Sequence, residues 1–196
     1  MPTIKTKTII LAFFILLFSN YLKAQPRVGE FINASIGYGI SAVNNSNDDT
    51  TANGSGFYAQ GEYVMGLTKW FGLRPYAGFV ITDASESDIK QNQPLYMATS
   101  KALLVGGKVR LAAPIPYVAP YIELGVGASF GTFKTFTPNS SIEKKGVVAH
   151  IPFSLGLSMG KKHTVDFAFT YYFHPSVNQY SGAVALGFTI PMENKE

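Results

Sequence analysis

Apolar and non-apolar residues alternate with a period of two along most of the chain after residue 29, and no segment there has a convincing helical period. Such alternation is typical of β-strands whose two faces meet different surroundings. Eight runs follow it, and they span residues 30–42, 56–67, 71–82, 98–111, 120–133, 146–159, 164–173 and 182–191. The pattern therefore predicts an all-β chain of eight strands.

The two faces of each predicted strand differ in size and polarity. In the last run, one face carries Val184, Leu186, Phe188 and Ile190, and the other carries Ala183, Ala185, Gly187 and Thr189. The bulky faces are apolar, and the small or polar faces hold most of the charged residues of the strands. These charged residues are too few for a surface that faces water. The alternation therefore favours apolar side chains that point outward into lipid, around an interior that small and polar side chains fill.

The lengths of the connections support the same architecture. Long polar segments follow the first, third, fifth and seventh runs: "NNSNDDTTANGS", "DASESDIKQNQPLY", "KTFTPNSSIEKK" and "HPSVNQYS". Shorter ones follow the second, fourth and sixth: "TKW", "AAPIPYVA" and "GKKH". Outer-membrane barrels have short periplasmic turns and longer external loops. We therefore predict an eight-stranded antiparallel up-and-down transmembrane β-barrel that follows a cleaved signal peptide.

The N-terminus has the three parts of a secretory signal peptide. Lys5 and Lys7 precede an apolar run of ten residues, 9–18, and a polar stretch follows it, with Ala24 as a cleavage residue. A transmembrane helix needs about 20 residues, which disfavours the alternative of an uncleaved anchor. We expect a signal peptide over residues 1–24, a barrel domain over residues 25–196, and export to the cell outer membrane.

Composition excludes several classes of function. Without the signal peptide the chain has 13 basic and 12 acidic residues, a balance that gives no sign of nucleic-acid binding. The chain has no cysteine, which rules out a disulfide scaffold, a thiolate metal site and a cysteine nucleophile. Its three histidines lack metal-ligand spacing. We therefore predict neither a cofactor nor a metal site.

Seven ionisable residues fall on the predicted inner faces. They are Glu62, Arg74, Lys108, Arg110, Glu123, His150 and Asp166. A charge in a confined lumen needs a partner, because an unpaired buried charge costs several kcal/mol. The strand order brings Lys108 toward Glu123 and Glu62 toward Arg74, so we predict a lumenal salt-bridge network.

Aromatic residues cluster near the ends of the predicted strands, as the girdles of outer-membrane barrels do. Trp70, Phe71, Tyr117 and Tyr121 lie near the predicted periplasmic ends, and Phe57, Phe79, Phe130, Tyr171 and Phe173 lie near the outer ends. Aromatic residues of an ordinary core are the alternative interpretation.

The signal ending "KAQ", the Gly- and aromatic-rich strands and the closing strand "GAVALGFTIP" resemble the small outer-membrane β-barrel proteins of Gram-negative bacteria, the OmpA/OmpX-like class. The resemblance covers nearly the whole chain after the signal peptide. It implies a monomeric barrel that contacts outer-membrane lipid and lipopolysaccharide, and that the barrel assembly machinery inserts. One departure is that "PMENKE" follows Ile190, whereas such barrels often end on an aromatic residue.

The resemblance implies a structural or interaction role, with three alternatives. The first is a narrow pore or small-ligand transport barrel. The second is a hydrolase, because "HPSVN" is similar to the His-x-Ser-Asn motif of the outer-membrane lipid A deacylases, with His174 as base and Ser176 as nucleophile. Val177 interrupts that motif before Asn178, and the last strand has no acid to orient the histidine. The third is a soluble periplasmic lipocalin-like barrel, which would fractionate with the periplasm and not with the membrane.

Overall fold

The computed structural model describes residues 28–43, 53–84, 97–137, 140–177 and 179–192. The predicted signal peptide and most residues of the first two external loops lie outside these ranges.

Eight strands form one sheet that closes on itself. They are β1 (Gly29–Val43), β2 (Asn53–Gly66), β3 (Phe71–Ala84), β4 (Met97–Ala112), β5 (Val118–Thr137), β6 (Ser140–Met159), β7 (Val165–His174) and β8 (Gln179–Pro191). Each strand pairs antiparallel with the next in sequence, and β1 pairs with β8 from Phe31 opposite Pro191 to Val43 opposite Gln179. The predicted up-and-down barrel is confirmed. No helix in the described ranges is long and apolar enough to cross a membrane.

The exterior of the barrel is apolar and the interior is small or polar, as the alternation predicted. Val126, Ile190 and Ile36 expose 60 to 70% of their surface on the outside. On the inner faces of β5, β7 and β6, the polar residues Glu123, Thr170 and Ser154 are buried. A belt of large apolar side chains on every strand suits the hydrocarbon of a bilayer and would be unusual in water.

The third external connection differs from the prediction. The segment "KTFTPNSSIEKK" was expected to be a polar loop, but β5 and β6 continue through most of it and pair as far as Thr137 opposite Ser140. The residues before the tip, 132–137, are three threonines, two phenylalanines and one lysine, and threonine and phenylalanine favour strands. The result is a hairpin of two 20-residue strands.

Candidate functional site

Six of the seven predicted interior residues form one cluster across the lumen, in the half of the barrel that is nearer to the short turns. We call Glu62, Arg74, Lys108, Arg110, Glu123 and Asp166 the charge layer. Each of these residues is at most 9% exposed. They come from β2, β3, β4, β5 and β7, and their side chains meet because each occupies an inward position of its strand.

Glu62 anchors one side of the charge layer. Its two carboxylate oxygens accept hydrogen bonds from Lys108 Nζ at 2.5 Å and from Arg74 Nη1 at 2.5 Å. Gln60 Nε2 donates a third bond at 2.7 Å. The expected pairing of Glu62 with Arg74 is therefore present, although Glu62 lies directly opposite Tyr76 in the sheet.

Glu123 anchors the centre. Its carboxylate lies 2.6 Å from Arg110 Nε and 2.8 Å from Lys108 Nζ. The sheet register aligns Arg110 with Glu123 and places Gly125 opposite Lys108. The expected pair of Lys108 and Glu123 is therefore diagonal across the two strands. Arg110 is a second partner of Glu123, which the sequence did not indicate.

Asp166, on β7, is the carboxylate at the other end of the charge layer. It accepts hydrogen bonds from Arg110 Nη1 at 3.1 Å, from Asn33 Nδ2 at 3.2 Å and from the Ser158 hydroxyl. The Tyr121 ring packs on the Arg110 guanidinium, 3.4 Å from its carbon to the ring centroid. Three cations thus face three carboxylates, and the pairing offsets the cost of burying each charge.

His150 lies apart from the charge layer, in a second group of polar aromatic side chains. Its Nε2 lies 2.5 Å from the Tyr76 hydroxyl, and its Nδ1 lies 2.7 Å from the Ser129 hydroxyl. The same hydroxyl lies 3.0 Å from His174 Nε2. Ser129 therefore joins two buried histidines that are far apart in the chain.

Two tyrosines cross the lumen beside this group. The Tyr58 and Tyr172 hydroxyls lie 2.9 Å apart, and Tyr172 donates to Gln60 Oε1 at 2.6 Å. Because Gln60 also donates to Glu62, the tyrosines and the charge layer share one hydrogen-bond network. We call Tyr58, Tyr76, Ser129, His150, Tyr172 and His174 the tyrosine–histidine layer.

A third group of hydroxyls fills the outer part of the lumen. Ser41 lies 2.8 Å from Thr82 and 3.1 Å from Ser100, and Ser100 lies 3.1 Å from Ser181. Gln179 Nε2 donates to Ser100 at 2.8 Å. Four strands contribute to this group, so polar contacts connect opposite walls at three levels.

The structure does not assemble the motif on which the hydrolase alternative rests. His174 is the last residue of β7, fully buried, with its Nε2 next to Ser129 and not next to the proposed nucleophile. Ser176 lies exposed in the following turn. Asn178 lies outside the described residues. The prediction placed His174 in the external loop, whereas it continues the inward alternation of Thr170 and Tyr172.

Most of the aromatic residues predicted for the girdles lie on the outer surface of the barrel. Trp70 and Tyr117 are more than half exposed at the short turns, and Phe57, Phe79 and Phe130 are exposed near the outer ends. Phe71, Tyr171 and Phe173 are half-buried. Tyr121 is a correction, because it points inward onto Arg110 and is 4% exposed. Its position near a strand end suggested a girdle. However, it lies two residues before Glu123 on the same strand, so its side chain points to the same inner face.

A closed eight-stranded barrel with an apolar belt outside and a filled polar lumen has the architecture of a small outer-membrane barrel. No family model matches the chain, and no curated protein matches its sequence. Among solved structures, Neisserial surface protein A is 12% identical, with a TM-score of 0.55 over 84% of this chain and 97% of that one. This likeness shows the predicted fold.

Two further solved structures have similar coverage. Ail of Yersinia pestis is 20% identical, with a TM-score of 0.49 over 84% of this chain and 100% of that one. The outer membrane protein OprG from Pseudomonas aeruginosa is 13% identical, with a TM-score of 0.48 over 86% of this chain and 99% of that one.

Proposed function

We propose that the protein is an integral outer-membrane barrel with a structural or interaction role, whose external segments meet partners while its lumen stays closed. The apolar belt supports insertion into a membrane, and the predicted signal peptide supports export. The three short turns, at residues 67–70, 113–117 and 160–164, are assigned to the periplasmic end.

The charge layer is the observation that carries this proposal. Its ion pairs connect Glu62 on β2 with Asp166 on β7, through Arg74 and Arg110, and so they cross the lumen from wall to wall. The cavity beside them has a volume of about 20 Å³, which is room for one water molecule. A solute could pass only if several buried ion pairs separated, which disfavours the alternative of a narrow pore.

Conductance tests this proposal. Purified protein reconstituted into a planar bilayer is expected to give no discrete current steps above those of the bare bilayer, because buried ion pairs cross the lumen. A wide porin reconstituted in parallel supplies the positive control. Reproducible steps that scale with the amount of protein would instead establish the pore alternative.

Lysines on the outer surface support contact with lipopolysaccharide. Lys101, Lys134 and Lys145 point outward on β4, β5 and β6, next to the exposed apolar residues Phe130 and Val147. Asp83 lies 2.7 Å from Lys101, and Glu143 accepts from Lys145 at 3.1 Å and lies 3.5 Å from Lys134. The hydrogen bond from Lys145 and the charge of Lys134 lower the pKa of Glu143. Lysines at the edge of an apolar belt suit the phosphates of lipid headgroups.

Removal of these ammonium groups is expected to weaken that contact. We expect the protein to have a higher melting temperature in lipopolysaccharide than in phosphatidylcholine. In the double variant Lys101→Gln, Lys145→Gln, at least half of this difference should be lost. The matched control is Lys144→Gln, Lys161→Gln, because Lys144 lies on the other face of the same hairpin and Lys161 lies at the opposite end of the barrel. An equal loss in both variants would contradict a contact at this patch.

A further inference from the structure

A pocket opens at the periplasmic mouth of the barrel, below the charge layer. Its walls come from the ends of β1, β2 and β8 and from the two turns that hold Trp70 and His163. The cavity has a volume of about 70 Å³, several times the room that one water needs. It can therefore hold a small ionic group together with part of an apolar body.

The polar lining of this pocket is basic. Arg74, Arg110, Lys69, Lys162 and His163 line it, and no Asp or Glu appears among its described lining residues. The carboxylates of the charge layer balance the two arginines from the other side. Among the described residues, Lys69 and Lys162 have no ion pair. Among the described residues that line the pocket, these two lysines therefore leave an excess of positive charge.

Two buried polar atoms of the lining are left without partners in the described part of the chain. They are Nε of Arg74 and Nδ1 of His163, which make no hydrogen bond with the described residues. Arg74 Nε lies 3.7 Å from the Glu123 carboxylate, beyond hydrogen-bond distance. Both residues are more than nine-tenths buried, at 5% and 7% exposure. Such atoms cost about 1–3 kcal/mol each unless something bonds to them. A ligand in this pocket would lie next to both residues. Arg74 Nε can only donate to it, whereas Nδ1 of His163 accepts in the neutral ring, whose proton is on Nε2, and donates to an oxyanion only in the imidazolium.

The backbone at His163 is also unusual. It has a φ of +48°, a left-handed conformation that non-glycine residues rarely adopt, and it follows Gly160 in the same turn. This conformation folds the imidazole under the barrel, where Nε2 donates to the Ile115 carbonyl at 3.1 Å. The strained turn thus fixes the imidazole at the mouth.

The remaining walls are apolar. Phe31, Val64, Trp70, Phe71 and Pro191 surround the basic end. Trp70 and Phe71 pack together, with ring centroids 5.7 Å apart. We propose that this pocket binds a small oxyanion, a carboxylate or a phosphate group, carried on a flat apolar body such as an aromatic ring and supplied from the periplasm.

Tryptophan fluorescence can test this directly, because Trp70 is the only tryptophan in the chain and it lines the pocket. Protein in zwitterionic nanodiscs is titrated with benzoate, with phenyl phosphate and with uncharged benzyl alcohol. We expect saturable changes with the two anions, and their relative affinities tell which oxyanion the pocket prefers. Absence of saturation with both anions, or an equal response to benzyl alcohol, would overturn the proposal.

Neighbouring lysines of one turn supply a matched pair of variants. Lys162→Gln is expected to raise the Kd of the anions about two- to five-fold, the range for an exposed charge. Lys161→Gln should leave the Kd unchanged, since both lysines are exposed but Lys161 does not line the pocket. The same Kd change in both variants would indicate general electrostatic attraction and would contradict a site.

Arg74→Lys adds a sharper test, because it keeps the positive charge and removes Nε, a donor that makes no hydrogen bond in the described part of the chain. We expect a loss of affinity of about ten-fold, equivalent to one charge-assisted hydrogen bond. The heat-modifiable gel mobility of each variant shows whether the barrel is folded. If Arg74→Lys does not fold, the comparison of Lys162 with Lys161 still decides the proposal.

Discussion

Replacement of Glu123 by glutamine is expected to destabilise the barrel by about 3–5 kcal/mol, the usual effect of removing one partner from a buried ion pair. Glu123 is 2% exposed and lies within ion-pair distance of Lys108, Arg110 and Arg74. The glutamine amide would leave the layer with three cations and two carboxylates. It would also present an NH₂ group where an acceptor is needed. Reversible urea unfolding in lipid vesicles, followed by gel mobility, measures the change.

Glu143→Gln is the matched control for this prediction. Glu143 also lies between two lysines, Lys134 and Lys145, but its side chain is 39% exposed on the outer hairpin. Exposed ion pairs contribute about 0–1 kcal/mol, so the same substitution should have little effect there. A similar loss of stability at both positions would show that burial of the charge layer does not determine its importance.

The sequence was sufficient to predict which faces of the strands point inward. Glu62, Lys108 and Asp166 lie on the small or polar face, and the structure buries all three. The same parity rule indicates Ser129 and Tyr172 as interior residues, but a neutral side chain on an inner face carries no signal in the sequence that distinguishes it from filling. Parity also contradicts the girdle position given to Tyr121, which nearness to a strand end had suggested.

The contacts across the lumen could not be predicted in this way. Tyr58 meets Tyr172 across 114 positions of sequence, and Asp166 meets Arg110 across 56. These partners lie on strands that do not pair, so they meet only after the barrel has closed with a definite tilt and stagger. The alternation of residues along a strand predicts neither the tilt nor the stagger. It therefore indicated the members of the charge layer but not most of their partners.

Packing in the middle of the lumen depends on glycines where strands β4 and β5 pair. Gly106 lies opposite Gly127. The Tyr76 hydroxyl lies 2.7 Å and 2.6 Å from the positions that a Cβ would take at these two residues. A Cβ at Gly127 would also meet His150 Nε2 and lie 2.5 Å from the Val105 carbonyl oxygen. The absence of side chains at these positions leaves room for the Tyr76–His150 hydrogen bond.

Gly127→Ala is therefore expected to displace Tyr76 or His150 and to destabilise the barrel by about 3 kcal/mol, from overpacking and the loss of a buried hydrogen bond. Gly107→Ala provides the control, because a Cβ there would point outward and meet nothing within 4 Å. The two glycines lie on neighbouring strands at nearly the same level, so intrinsic strand propensity affects both variants alike. Urea unfolding of the two variants in the same vesicles separates this shared effect from the lumenal one. If Gly107→Ala lost as much stability as Gly127→Ala, backbone propensity and not the space for Tyr76 would explain the glycine at position 127.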